Sequence, residues 1–341
     1  MTIENRNSLL LLRMAFAVAA LAIYACLCAC TPKAEKPAGP VDKVTMAVAA
    51  APDTALAQVA LVDGFFQKEG LEVTPLKYEY GKLALEAMLE GKADFATVAE
   101  TPVMFACMKG AKISVIAAIQ QSNGNNAIIA RRDRGILSPS DLKGRKIGTT
   151  SGTILDYYLD SFLAANGISR KAVTLVDMRP EQMAAAIDKG AVDAISAWSH
   201  VTMETRRRLG AREITFQDRD IYTQTFLVVA GQEFIRNNPE KVRRMLRALL
   251  RAEDFVRKNP TEAQAVVADF CGIDRAVIGE LWGLERFAVT LDQMLILALE
   301  DESRWAKKNG LTDAVNIPNY LNYIYLDGLG SVRPEAVRII R

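Results

Sequence analysis

The sequence predicts a doubly wound α/β protein of two lobes joined by a two-strand hinge, with extra helices at its carboxyl end. Three observations carry this. Apolar runs of strand length alternate with segments of helical spacing from Val44 onward, the pattern of parallel sheets covered on both faces. Two similar apolar segments, AIIA (Ala127 to Ala130) and TFLVVA (Thr225 to Ala230), bracket a second run of the same alternation. The chain therefore reads as crossing out of one lobe and returning to it. After Pro239 the spacing of apolar residues is helical.

In the first lobe, Val44 to Ala50 (VTMAVAA) reads as a strand. Pro52, Asp53 and Thr54 open a helix with Leu56, Val59, Ala60, Val62 and Phe66 on its apolar face, stopped by Gly70. Leu71 to Leu76 is a second strand, and Pro75, which cannot donate to a ladder, places it near a sheet edge. Lys82 to Glu90 is a helix ended by Gly91, and Asp94 to Ala99 (DFATVA) is a third strand. Glu100-Thr101-Pro102 turns into a helix through Lys109. Ile113 to Ile119 is a fourth strand, followed by the polar run Gln120 to Asn126.

The second lobe is organised around Asp141 to Leu163. Lys146 to Thr149 reads as a buried strand, and Ile154, Tyr157, Tyr158, Phe162 and Leu163 recur at helical spacing, so a helix begins at about Thr153. Such a junction aims unpaired N–H groups and the positive end of the helix dipole past the sheet edge. With the hydroxyls of Ser151 and Thr153 and the open backbone of Gly152, Thr150 to Thr153 can form an anion socket. A Ser/Thr cap that only finishes a helix accounts for the same residues. No Gly-Lys-Ser/Thr follows, so this is not a Walker loop.

Val173 to Val176 and Asp193 to Trp198 (DAISAW) are the next strands, with a helix from Pro180 to Lys189 between them. Ser199-His200 lies at the carboxyl end of the last, and a helix follows through Leu209. Past the return crossing, Pro239 to Lys258 turns Val242, Met245, Leu249 and Phe255 inward. Arg243, Arg244, Arg247 and Arg251 lie on its other faces, as a solvated face or a docking surface. Pro260 to Phe270, a segment around Leu281 to Leu299, and Glu302 to Asn309 continue the helical tail.

The chain has 341 residues, half of them hydrophobic, enough for two lobes with real cores. A formal net charge of +2 argues against nucleic acid as a partner. The single histidine, His200, and the lack of a Cys/His cluster argue against a zinc site. A Ser-His-Asp machine could use only His200, and no G-x-S-x-G elbow is present. No cofactor or metal is expected.

Arg6 and Arg13 precede an apolar run from Met14 to Leu27, shorter than the roughly 20 residues that span a bilayer, so it reads as the core of a signal peptide. The run ends in Leu27-Cys28-Ala29-Cys30, which resembles a bacterial lipobox and implies cleavage before Cys30 and lipidation of its sulfur. Plain secretion is the alternative. Thr31 to Val41 is a Pro/Ala/Lys tether suited to holding a domain off a membrane. Cys107 and Cys271 sit in apolar runs and read as buried thiols.

Several phrases stand in the order and spacing of one family: GFFQKEGLEV (Gly64 to Val73), EGKADFATVAETP (Glu90 to Pro102), DLKGRKIGTTSGT (Asp141 to Thr153), VTLVDMRPEQMAAAIDKGAVDAISAW (Val173 to Trp198) and NPEKVRRMLRALLRAEDFVRKNP (Asn238 to Pro260). The chain resembles the nitrate/sulfonate/taurine-type solute-binding proteins of ABC importers, a group that includes binders of thiamine-precursor pyrimidines. The resemblance covers nearly the whole mature chain. It implies a type II periplasmic-binding-protein fold in which two lobes close on a small molecule and the closed form docks on a membrane permease. The expected organisation is a signal peptide (1–29), a lipidated cysteine and tether (30–42), one lobe from 43–127 plus 231–341, and a second from 128–230. The hinge is expected near Ala127–Ala130 and Phe226–Ala230, and the protein is expected to work as a monomer.

In such sheets ligands lie outside the carboxyl ends of the strands. That rule picks out Asp53, Thr54, Glu100, Thr101, Gln120, Ser122, Thr150, Ser151, Gly152, Thr153, Trp198 and His200, with Tyr222 and Gln224 just before the return crossing. Glu100 can hold an amine or interact with the dipole of the helix it starts, and Asp53 has the same two readings. Trp198 can stack on a planar ligand or fill the cleft floor. His200 can donate to an anionic group or be structural.

If Ser151 and Thr153 hold an anion and Glu100 a cation, the ligand is zwitterionic, such as an amino-sulfonate. If not, a planar amino-heterocycle between Trp198 and Glu100 fits better. Many members of the family carry an acidic residue and proline soon after the strand tryptophan, where this chain has Ser199-His200, so no ligand carries over directly. The expected role is an extracytoplasmic, lipid-anchored solute receptor without catalysis. The alternatives are a sensory or adaptor lipoprotein, and a pyrimidine-precursor synthase-like enzyme. Such an enzyme would call for a cysteine-rich stretch and a second histidine that the chain lacks.

Overall fold

The computed structural model describes residues 41–340. The segment read as a signal peptide, the expected lipidation site Cys30 and nearly all of the expected tether lie outside them. The chain enters the first lobe as β1 (Asp42–Ala49) and continues through β2 (Leu71–Tyr78), β3 (Phe95–Ala99) and β4 (Ile113–Ser122). It crosses through residues 123–125 into a second lobe of β5 (Asn126–Arg131), β6 (Lys146–Thr149), β7 (Thr174–Asp177), β8 (Ala194–Trp198) and β9 (Glu213–Phe216). Residues 217–223 bring it back to β10 (Gln224–Gly231), β11 (Arg286–Asp292) and β12 (Val337–Arg338). The strand order is β12-β11-β4-β10-β3-β1-β2 in the first sheet and β7-β6-β8-β5-β9 in the second.

Both sheets are mixed rather than wholly parallel. β10 runs antiparallel to β3 and β4, and β5 antiparallel to β8 and β9. The reason is geometric. A strand arriving from the other lobe enters at the edge where the two lobes face each other, which is the carboxyl edge of the resident strands. Thus Asn126 pairs with Trp198 at the end of β8, and Gln224 with Ser122 at the end of β4.

The hinge expected at Phe226–Ala230 is corrected by this pairing. All of TFLVVA is a buried central strand of the first sheet, and AIIA lies inside the second. The connections between lobes are residues 123–125 and 217–223, so the second lobe starts before residue 128 and ends before residue 230.

β2 is an edge strand, where the missing N–H of Pro75 costs no ladder bond. The helix Gly81–Leu89 starts so close to β3 that a Cβ on Gly81 would lie 2.9 Å from the Cα of Val98. Leu281 to Leu299 is not one helix. β11 interrupts it and pairs with β4, its Phe287, Val289 and Leu291 recurring at the strand period of two. The second lobe packs Leu155, Met183, Ile187 and Ile195 into a small core of their own.

The arginines of the helix Pro239–Lys258 are tied to their own lobe. Arg247 and Arg251 pair with Glu69 at 2.7 and 2.5 Å, Arg243 with Glu240 at 2.7 Å, and Arg244 with Asp42 at 3.2 Å. Cys107 and Cys271 are unpaired thiols. Among the described residues no helix is long and apolar enough to cross a membrane.

Candidate ligand-binding cleft

The lobes touch through residues of their helices and connecting loops. Trp305, on the helix Gln293–Lys308, donates to Asp160 Oδ2 at 2.7 Å, and its ring meets Tyr157 edge-on at 5.2 Å. Tyr157 meets Tyr222 in the same way, at 5.2 Å. Lys82 Nζ donates to the carbonyl of Ser151 at 3.1 Å.

Where the strand ends converge, a cavity of about 410 Å³ opens between the lobes. Asp53 reaches it from the turn after β1, Tyr78 and Tyr80 from the end of β2, and Trp198 and His200 from the end of β8. Trp198 stacks on His200, with centroids 6.2 Å apart and planes 16° apart, and lies 6.2 Å from Tyr80. Phe226 completes the aromatic wall. The charged groups on the wall are Asp53, Glu79, Glu181 and Glu204, against one lysine, Lys77, which donates to the carbonyl of Phe270.

Asp53 is 5% exposed and its Oδ1 accepts from Asn125 Nδ2 at 2.7 Å and from Gln224 Nε2. Burial pushes its pKa up to about 6, against the pull of its backbone and amide hydrogen bonds. His200 is held neutral in the opposite way. Burial takes its pKa down to about 4, with Glu204 acting against the shift.

Glu100 belongs to a second buried acidic group. At the start of the helix Glu100–Met108 it is fully buried, and its Oε1 accepts from the Tyr222 hydroxyl and from the Thr225 N–H at 3.0 Å. Burial raises its pKa to about 7. Glu302 lies on the other side of Tyr222, with Oε1 3.5 Å from the same hydroxyl, and is raised well above the carboxylate range by burial and then by Glu100. Glu100 Oε2 is buried without a hydrogen-bond partner, and Thr101 lies beside Glu302. Composition and spacing gave no sign of Glu302, because it comes from a helix about two hundred residues further along the chain.

The other expected site residues turn inward or elsewhere. Thr54 donates to the Ala49 carbonyl at 2.8 Å. Gln120 donates to Glu285, and Ser122 to the Leu284 carbonyl at 2.7 Å.

The anion socket is already filled from within the chain. Ser151 N–H donates to Asp177 Oδ1 at 2.8 Å, and Gly152 N–H to Asp156 Oδ2 at 3.2 Å. Thr150 donates to the Met178 carbonyl. Thr153 donates to the Thr150 carbonyl while capping the Leu155 N–H at 3.3 Å. These residues serve as a helix cap and turn, and Ser151 and Gly152 line a separate hollow of about 360 Å³. The start of the helix Gly81–Leu89 divides the two spaces, with Gly81 on the Trp198 side and Lys82 on the Ser151 side. The cavity therefore gathers Asp53, Trp198 and His200, and leaves Ser151 outside.

Two α/β lobes joined by two connections, with a cavity at the meeting strand ends, make this a periplasmic-binding-protein fold. The chain is similar in fold to the periplasmic aliphatic sulphonate binding protein SsuA from Escherichia coli, with a TM-score of 0.71 and 16% identity over 84% of this chain and 98% of that one. It is similar also to the periplasmic nitrate-binding protein NrtA from Synechocystis PCC 6803, with a TM-score of 0.66 and 15% identity over 87% and 86% of the two chains.

The chain belongs to the NMT1/THI5-like family, whose model matches residues 51–263, more than half of its length. In sequence it is 27% identical over 214 residues to a protein of Bacillus subtilis (strain 168) whose name assigns it to binding aliphatic sulfonates. That match covers 62% of this chain and 64% of the relative, short of two thirds of its length. It is also 27% identical over 248 residues to the riboflavin-binding protein RibY of Chloroflexus aurantiacus (strain ATCC 29366 / DSM 635 / J-10-fl), over 71% of this chain and 69% of that one.

Proposed function

We propose that this protein is an extracytoplasmic solute receptor that binds one small molecule between its lobes and delivers it to an ABC importer permease. In this reading Cys30 carries a lipid anchor, residues 31–41 are the tether, and the protein acts as a monomer without catalysis. Membership of the NMT1/THI5-like family and the two-lobed fold support the receptor reading.

The ligand we infer is a planar heterocycle bearing amino groups rather than a sulfonate. One observation carries this choice: the wall of the cavity combines five rings with four carboxylates and a single, engaged lysine. Such a wall stacks a flat ligand and accepts from its N–H groups. The backbone donors that a sulfonate would need at Ser151 and Gly152 already serve Asp177 and Asp156. A buried oxyanion without donors would be strongly disfavoured.

Cys271 borders the same cavity, but burial pushes its thiol up to about 12, so it offers no thiolate for nucleophilic chemistry at neutral pH. Native mass spectrometry of the protein purified from its own cells tests the reading. The expected result is one small basic or amino-bearing molecule per chain, released with its mass unchanged after prolonged incubation. A chemically altered ligand would argue for an enzyme.

A further inference from the structure

On the far side of the helix Ser199–Leu209 from the Trp198 cavity lies another space between the lobes, of about 370 Å³. His200, Val201 and Glu204 of that helix face the first cavity, and Thr202, Met203, Arg206 and Arg207 line the second. Gly124 and Gln217, from the two connections between lobes, border it, as do Arg219 on the return connection and Leu281 and Leu284 from the first lobe.

The charge here is the reverse of that in the ligand cavity. Arg206, Arg207 and Arg219 line the space against one carboxylate, Glu280. Neighbouring arginines that turn away are neutralised, Arg208 by Glu204 at 2.7 Å and Arg212 by Asp188 at 2.8 Å. Arg206 donates to Thr215 Oγ1 at 3.1 Å and pairs with Glu213 at 3.8 Å, leaving Arg207 and Arg219 as the free charges of the space. Arg207 and Arg219 have no ion-pair partner among the described residues. A second, independent sign is Thr202, which is 6% exposed and whose hydroxyl is buried without a hydrogen-bond partner.

Guanidinium groups with no carboxylate of their own and a spare hydroxyl match an oxyanion. The apolar side chains of Leu281 and Leu284 match a short hydrocarbon body. We propose that this cavity is a second ligand site, for a small organic oxyanion of the phosphate-monoester type, bridging the two lobes beside the hinge. Because its walls come from both lobes, an occupant favours the interlobe angle at which Arg207 and Leu284 both reach it.

Isothermal titration of the purified protein with butyl phosphate, and separately with inorganic phosphate, in a phosphate-free buffer tests this. The expected result is saturable binding of butyl phosphate at one site per chain, with inorganic phosphate weaker. Arg207→Ser and Arg219→Ser, both at exposed positions and with melting checked by circular dichroism, each weaken butyl phosphate by about ten-fold, the order of one charge-assisted hydrogen bond. Leu284→Ala weakens butyl phosphate and leaves inorganic phosphate unchanged. Trp198→Ala leaves both unchanged, which separates this site from the solute cavity. Absence of saturable binding of either phosphate overturns the proposal, as does butyl phosphate binding that survives the Arg207→Ser/Arg219→Ser double variant or is lost in Trp198→Ala.

Discussion

Asn125, in the first connection between lobes, donates to Asp53 Oδ1 at 2.7 Å. Gln224, the first residue after the second connection, donates to the same oxygen, and Asn126 Nδ2 donates to Gln224 Oε1 at 3.0 Å. The carboxylate at the base of the solute cavity is thus gripped by both strands of the hinge. A ligand group that recruits Asp53 acts directly on the elements whose torsions set the interlobe angle. Asp53→Asn should therefore weaken solute binding by about ten-fold or more and also reduce the compaction on ligand addition seen by small-angle X-ray scattering. Weakened binding with full compaction would detach Asp53 from the hinge.

The buried carboxyls make stability depend on pH. Glu100 and Asp53 hold their protons up to about pH 7 and pH 6 when folded, chiefly through burial. A carboxyl raised in this way contributes stability that is complete below its unfolded pKa and is lost as pH rises through the folded value. His200, lowered from 6.5 to about 4, acts in the opposite sense and costs stability as pH falls across that interval. Glu302 and Glu285, also raised, add to the carboxyl side. The unliganded protein should thus melt at lower temperature at pH 8 than at pH 5, by about 5 °C. Glu100→Gln should flatten this slope and raise the melting temperature at pH 8 in scanning calorimetry. A Glu100→Gln protein that melts below the parent at pH 8 would contradict the neutral, buried state of Glu100.

Trp198 lies 6.2 Å from both Tyr80 and His200 and lines the cavity with them. Trp198→Ala should weaken the solute by at least about ten-fold, as removal of a central aromatic anchor does. Because the residue is only partly buried, the melting temperature should move little. Equal affinity in the variant would remove stacking from the account.

Ser151 and Thr153 give the reverse outcome. Ser151→Ala should leave solute affinity unchanged, because Ser151 lines the separate hollow and not the cavity walled by Trp198. Thr153→Val should lower stability by about 1 kcal/mol through loss of the helix cap, again with solute affinity unchanged. A large loss of affinity in Ser151→Ala would restore the anion socket.

Strands β1 to β4 and β6 to β8 and the helix beginning after Thr153 were legible because each is written in local periodicity and turn residues, whereas β5 and β10 read as crossings and β9 went unread. Trp198 and Asp53 were legible as cleft residues because strand ends follow from the same pattern. The filling of the socket was not, since Asp177 lies 26 residues beyond Ser151 and only the pairing of β6 with β7 brings it there. Glu302 was hidden for the same reason, reaching Tyr222 from 80 residues away. β11 went unread because a single short strand between helices, Arg286–Asp292, carries too few alternations to outweigh the helical pattern on both sides. The direction of β5 and β10 follows from which lobe the chain is leaving, and no local window holds that information.

The acidic, aromatic wall of the cavity separates two ligand classes, and affinity decides between them. Isothermal titration of the unliganded protein against a set of aminopyrimidines and a set of short alkanesulfonates measures both in one experiment. The expected result is saturable binding of an aminopyrimidine at one site per chain, weakened by Trp198→Ala and by Asp53→Asn, and no detectable heat from the sulfonates. Tighter binding of a sulfonate than of every aminopyrimidine would contradict it.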